Sequence, residues 1–362
     1  MNNIHYKKNA DSVIERLRLF YERKTSDQIF AIFKLPSKTL DDFSTNNKKE
    51  YVQYPDPEKR IHYWDNLLKE NIRLEDDSIP FAYLSEFDQG LYGALIGGEI
   101  QFLCDPKKGW ISSMIKPMYN DLMLFHPKPF DKHHIWFQRY THQLKVFSEA
   151  SKDKFGISHF ILIDSLNFIF ELVGATKTYL SLFECPDKVN EVIDFAFQLN
   201  VKIHNTFFES TPSYKGGTFS NYGQWIPGRI VSESVDPFHM TSVDDYEQWG
   251  KKNVEKIFNE FDGGVIHIHS NGRHLLKNVS QLKGLKAIRL FDEGGNPAAF
   301  DVLNDLKENA GDVPLIVNVD DNKFEKCLKD NSLPGGVLYM VNSLKKADEV
   351  NSIMEKVRKY RI

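Results

Sequence analysis

Cysteine is scarce in this chain of 362 residues: Cys104, Cys185 and Cys327 are the only three. They lie far apart with no CxxC pair, so they form neither a disulfide framework nor a thiolate metal ribbon. Such usage fits a reduced, cytoplasmic setting. No basic run offsets the formal net charge of -4, which speaks against nucleic acid as the main partner. No apolar run approaches the length of a membrane span, and the polar stretch Met1 to Asp11 has no apolar segment behind it. A secretory signal is therefore not expected. GxGxxG and GxxxxGK[ST] are also missing, which removes the usual signatures of dinucleotide-binding sheets and phosphate-cradling loops.

What is present is an ordinary globular composition, 41% hydrophobic and 27% charged, enough to bury a large core. The spacing of Val13, Leu17 and Phe20 predicts a helix over Ala10 to Lys24, and a second is expected over Pro57 to Leu74. Between them Ser37 to Tyr54 is polar and reads as a surface loop. Residues 1–75 are thus expected to be a helical amino-terminal extension packed on a domain spanning 76–362. From about residue 155 onward, apolar strands alternate with amphipathic helices. Strands are expected at Phe81 to Leu84, Ile100 to Leu103, His159 to Ile163, Gly217 to Ser220, Ile230 to Ser232, Val265 to His269, Ala287 to Phe291, Leu315 to Val319 and Val337 to Val341. Such alternation calls for a parallel sheet covered by helices. Polar residues gather at many strand ends, including Asp164, His267, His269, Asp292, Asp320, Asp321 and Ser343. One mouth fed by many strands favours an α/β fold of the (β/α)8 TIM-barrel type over an open doubly wound sheet.

The most informative stretch is Gly263-Gly264-Val265-Ile266-His267-Ile268-His269-Ser270-Asn271-Gly272. Side chains alternate along a strand, so Val265, His267 and His269 share one face. Residues two apart rise ~6.6–7 Å, and imidazoles converging at that spacing suit one metal ion or one anionic ligand. Arg273 and His274 follow at a helix start, where backbone N–H groups already favour anions. Asp292-Glu293 is an acidic pair at the next strand end, open to metal binding, general-base or capping roles. Tyr222 and Trp225, in a Gly- and aromatic-rich loop, offer a flat wall for a ligand.

Three segments resemble the uroporphyrinogen decarboxylase superfamily, nearest to its corrinoid-dependent methyltransferase branch. Glu171-Leu172-Val173-Gly174-Ala175, continuing through Leu180, Leu182, Pro186 and Val189, is similar to the family's helix-to-helix connection. Ser234-Val235-Asp236 through Met240, Ser242 and Tyr246 resembles its strand-end and following helix cap. His267-Ile268-His269-Ser270-Asn271-Gly272 lies where the branch carries H-x-C-G-N. The departures are as specific. The decarboxylases' R-Q-A-G-R-Y signature is missing, Ser85-Glu86-Phe87-Asp88 does not match their substrate-binding aspartate motif, and Asn342-Ser343 stands where their late histidine would follow the last strand. Tetrapyrrole decarboxylation is therefore not expected.

In the methyltransferase branch zinc is held by His, Cys and a later Cys, and activates a thiol. Here His267 matches, His269 replaces the first cysteine, and Cys327 falls in the helix before the last strand. The resemblance then implies zinc on His267 and His269, with Asp292, Glu293 and Glu86 as third-ligand candidates in that order. It also implies a corrinoid carried by a partner protein, and a homodimer. His267, His269 and Asp292 become the catalytic candidates. Asn271, Arg273, His274, Trp225, Tyr222, Asp164 and Asp236 are the candidates for a small-molecule substrate. The favoured activity moves a methyl group between a corrinoid protein or small methylated compound and a thiol or folate acceptor. Two alternatives stay open: a metal-independent decarboxylase or lyase on a small carboxylated substrate, and a non-catalytic binding barrel.

Overall fold

The computed structural model describes residues 4–362. Its strands, in chain order, are β1 (Ile29–Lys34), β2 (Tyr51–Val52), β3 (Phe81–Tyr83), β4 (Ile100–Asp105), β5 (Trp110–Ile115), β6 (Gly156–His159), β7 (Gly217–Ser220), β8 (Gln224–Pro227), β9 (Val231–Ser234), β10 (Gly264–Ile268), β11 (Leu285–Leu290), β12 (Leu315–Asp320) and β13 (Val337–Asn342). Among the described residues they divide into three sheets rather than the single ring of eight expected. A six-stranded parallel sheet runs β1-β13-β12-β11-β10-β9 and a four-stranded one runs β3-β6-β7-β8. The expected strand at Ile100 exists, but as β4 in a small antiparallel β2-β4-β5 sheet outside both. The protein is thus a mixed α/β fold. No helix among the described residues is long and apolar enough to cross a membrane.

The segment expected to be purely helical also contributes a strand. In β1, Ile29, Phe30, Ala31, Ile32 and Phe33 are all buried, and the strand pairs in parallel with β13. Residues 1–75 are therefore not only an external extension. A strand covered on both faces reads as an unbroken apolar run, without the alternation that marks a half-exposed one. The expected loop after it holds a helix at Lys38–Asn46, capped by Ser37, that buries no residue and so leaves little apolar signal. Elsewhere helices follow their sequence cues: Ser242 and Asp245 form a reciprocal capping box, and Pro186 opens the helix Pro186–Ser210.

Hydrogen bonds run between the two larger sheets in two places, here called seams. On the outer edge of β1, Asp77 accepts the Ala31 N–H at 3.0 Å and Asp76 accepts that of Phe33 at 2.8 Å. Both carboxylates are fully buried, and each meets a cation 2.8 Å away, Arg16 on Asp77 and Lys7 on Asp76. They occupy the edge that a neighbouring strand would otherwise pair, just ahead of β3. At the other seam, Leu162 donates its N–H to the Ser232 carbonyl at 2.8 Å, and Asn167 donates to that of Ser234 at 2.8 Å. Beyond these, Asp164 and Glu233 are buried, and each has a carboxylate oxygen with no hydrogen-bond partner. Burial pushes the Asp164 carboxyl up to about 7 and that of Glu233 well above its ordinary range, so both are driven toward the protonated form.

Both seams are testable. Replacing Asp77 by Ala leaves the Arg16 guanidinium unmatched and the Ala31 N–H without its acceptor; the expected loss is roughly 3–5 kcal/mol, read from urea unfolding. A loss under about 1 kcal/mol, the level of an exposed pair, would show that the carboxylate does not secure β1. At the second seam the unfolded chain releases the Asp164 proton near pH ~4, whereas the folded protein holds it up to about 7. Stability therefore falls as pH rises through that window. Asp164→Asn should flatten this slope and add on the order of 1–3 kcal/mol at about pH 8. An unchanged slope between about pH 5 and pH 8 would exclude the raised Asp164 carboxyl.

Candidate metal centre

Strand β10 carries His267 on its inner face, and His269 follows at the strand's end. Parallel register sets Ser234 of β9 and Arg289 of β11 level with His267. Level positions on neighbouring strands face the same way, so the turn that follows Ser234 falls beside both imidazoles. That turn, Asp236–Met240, begins with the carboxylate around which the site is arranged.

Oδ1 of Asp236 lies 3.1 Å from His267 Nε2, 3.6 Å from His269 Nε2 and 3.5 Å from His239 Nδ1. One donor atom each from Asp236, His267 and His269 lie within 4.8 Å of one another, a spread that one ion can bridge. His267 is buried while His269 and Asp236 are each about one-third exposed, so the cluster sits at a mouth with one deep donor. Burial raises the Asp236 carboxyl, but the facing imidazoles of His267, His269 and His239 outweigh it and hold the group well below the carboxylate range. In His239 burial prevails over the pull of Asp236 and drives its pKa down to about 4. That ring is neutral at pH 7. Its close neighbour must be glycine, since a Cβ on Gly272 would stand 1.9 Å from the His239 ring.

Glu293 supports the cluster from behind. One of its oxygens pairs closely with His269 Nδ1, and the other accepts the Ser270 N–H at 2.7 Å. A carboxylate on the far nitrogen fixes the tautomer and leaves Nε2 free to ligate. Tyr222 and Phe291 form apolar walls, with ring centroids 4.9 and 5.5 Å from that of His267. Deeper in, the Tyr83 hydroxyl donates to Asp88 at 2.5 Å, and burial pushes Asp88 up to about 6 against that bond and the charge of His267.

The structure redistributes several expected roles. It brings His267, His269, Asp236, Glu293 and Tyr222 together, and groups Asp236, rather than Asp292, Glu293 or Glu86, with the two histidines as the residue that could serve as a third donor. Asp292 is engaged elsewhere, accepting from Arg273 at 2.9 Å and from the Ala299 N–H at 2.7 Å. Arg273 is committed to that carboxylate and to the Pro297 carbonyl, which removes the expected anion site at the helix start. Glu86 is buried against Arg60 and Gln143 with no histidine beside it. Trp225 is not a ligand wall: it is fully buried in β8, its indole N–H donates to Tyr214, and its ring covers Gly217. Asp164 belongs to the seam with Glu233. Asn271 and His274 are exposed, the latter contacting the Thr241 carbonyl at 3.0 Å. His239 and Asp88 lie outside the expected site residues, although Asp236 and His239 at i and i+3 in one turn are a sequence-visible pair.

No family model matches the sequence, and no curated protein sequence matches it. The fold, however, has a solved counterpart. The chain is similar to a methyltransferase from Methanosarcina mazei at a TM-score of 0.61 and 15% identity, covering 96% of this chain and 98% of that one.

Proposed function

We propose that this protein is a methyl-transferring enzyme whose reactive centre is a metal ion held by Asp236, His267 and His269. The observation that carries this reading is the convergence of those three donors, with Glu293 orienting His269 from behind. The likeness to a methyltransferase over nearly the whole chain supports it at the level of the fold. In the same reading the two larger sheets are the walls of one (β/α)8 barrel, joined through Asp76 and Asp77 on one side and Leu162 on the other. Two imidazoles and a carboxylate with an open position suit zinc.

Bound there, the metal would lower the pKa of a thiol so that thiolate exists near neutral pH. The chain's own residues do the rest. Glu293 holds the His269 ring in its ligating tautomer, and buried His267 anchors the deep side. Tyr222 and Phe291 keep water from the acceptor sulfur. The methyl donor is a corrinoid carried by a partner protein: its cobalt–carbon bond breaks, the carbon–sulfur bond forms, and cobalt keeps the electron pair. A homodimer in a cytoplasmic setting completes the proposal.

Metal analysis of the purified protein tests the centre directly. Wild type should hold zinc near one equivalent, and His267→Ala, His269→Ala and Asp236→Ala should each lose it with unchanged circular dichroism. Asp292→Ala should keep it, and Glu293→Gln should bind roughly 10–100-fold more weakly. Metal-loaded wild type should also demethylate free methylcobalamin in the presence of a thiol, with each ligand variant slowed by at least ~100-fold. A metal-free wild type, or ion retention by His267→Ala/His269→Ala together, would overturn the centre.

A further inference from the structure

A cavity of about 490 Å³ opens along the outer surface of the helix Pro186–Ser210 and shares no residue with the metal centre. The helix supplies one wall through Phe195, Leu199, Lys202, Thr206 and Glu209, which follow one another by three or four residues and so lie on a single face. The other wall is the segment Lys128-Pro129-Phe130-Asp131 with the end of the helix Gly90–Leu95. Prolines at 127 and 129 flank Lys128, and a residue ahead of proline is held extended. The segment therefore keeps a course of its own beside the helix. Volumes of ~300–1,000 Å³ are those of small-molecule sites.

The lining combines two chemistries. Ile96 and Leu199 are buried, and Phe130 and Phe195 partly so, which gives the cavity an apolar floor. Two lysines complete it. Lys202 Nζ lies 5.1 Å from the centroid of the Phe130 ring, and Lys128 Nζ donates to the Ile96 carbonyl at 2.9 Å. Both ammonium groups are thus held against the apolar lining, and among the described residues no carboxylate lies within ion-pair distance of either. An ammonium has three donors, and the Ile96 carbonyl takes one from Lys128. The carboxylates of the rim are placed otherwise. Asp131 accepts the His133 N–H at 2.8 Å, and Glu209 stands seven residues beyond Lys202, ~10.5 Å along the helix axis.

An inorganic anion would use the two cations and leave the floor wet, while a neutral hydrocarbon would do the reverse. Only a ligand with both parts matches the whole lining. We infer that this cavity binds a small organic carboxylate with an apolar tail. The tail lies against Phe130, Phe195 and Leu199, and the head group meets Lys128 and Lys202. Apolar contact supplies most of the affinity; the lysines, being exposed, contribute less and decide the sign of charge accepted. The site is separate from the proposed reaction and does not rest on it.

Octanoate, octanol and octylamine serve as probes of equal tail, with binding to the full chain followed by calorimetric titration. Wild type should bind octanoate about tenfold more tightly than octanol, and octylamine least. Lys128→Gln/Lys202→Gln should abolish that order while leaving octanol binding unchanged. Lys128→Glu/Lys202→Glu should invert it, with octylamine then bound more tightly than octanoate. Both lysines are exposed, so these variants should keep the circular dichroism of wild type. Asn205→Trp sets an indole into the cavity from the same helix and should remove binding of all three probes. Octanoate binding that persists in Asn205→Trp would put the carboxylate elsewhere, the metal centre included, and overturn the inference. Equal binding of octanoate and octylamine by wild type, or no saturable octanoate binding, would overturn it as well.

Discussion

The parallel register of β9, β10 and β11 is the constraint on which the site depends. It sets Ser234, His267 and Arg289 in one row across three strands, and strand alternation then turns all three inward. A slip of one residue in β10 would send both histidines to the helix-covered face and bring Ile266 and Ile268 inward. Apolar packing guards against that slip, because Val265, Ile266 and Ile268 are completely buried and each face already has a defined complement. The chemistry thus inherits its precision from ordinary core packing. The cluster spans the end of β10 and the turn after β9, where exposure rises.

Charge in the interior follows one rule with a single exception. Buried acids are either matched by a cation, as Asp76, Asp77 and Glu86 are, or kept protonated by burial, as Asp164 and Glu233 are. Asp236 is matched by imidazoles. Arg273 and Asp292 cancel one another at the rim. Against that pattern Arg289 stands out, since a guanidinium cannot escape its cost by giving up its proton near neutral pH. An unmatched buried charge is strongly destabilising when it remains unpaired.

How much could be read from the sequence differs by element for physical reasons. Strand β10 was legible because alternation and a terminal Asn-Gly break coincide in it. Strand β1 was not, because its five consecutive buried apolar residues carry no period that separates strand from helix. Trp225 read as part of a loop because its glycine-rich surroundings mark turns, while in the fold those glycines make room for the indole above Gly217. The two histidines of the site were visible as a local pattern. Their third partner was not, since Asp236 lies 31 positions away from His267 and only sheet pairing brings it near. Arg289 did leave a trace: a lone arginine between Ile288 and Leu290, inside a strand of apolar neighbours.

The donor set itself shapes what the centre can do. Replacing thiolate by imidazole and carboxylate makes the ligand field harder and the ion more electrophilic. Ligating imidazoles must be neutral, and His239 is neutral as well, so Asp236 brings one negative charge to the three donors. A divalent ion held there would keep a net positive charge. Glu293 offsets part of this, but its carboxylate is spent on His269 and the Ser270 N–H.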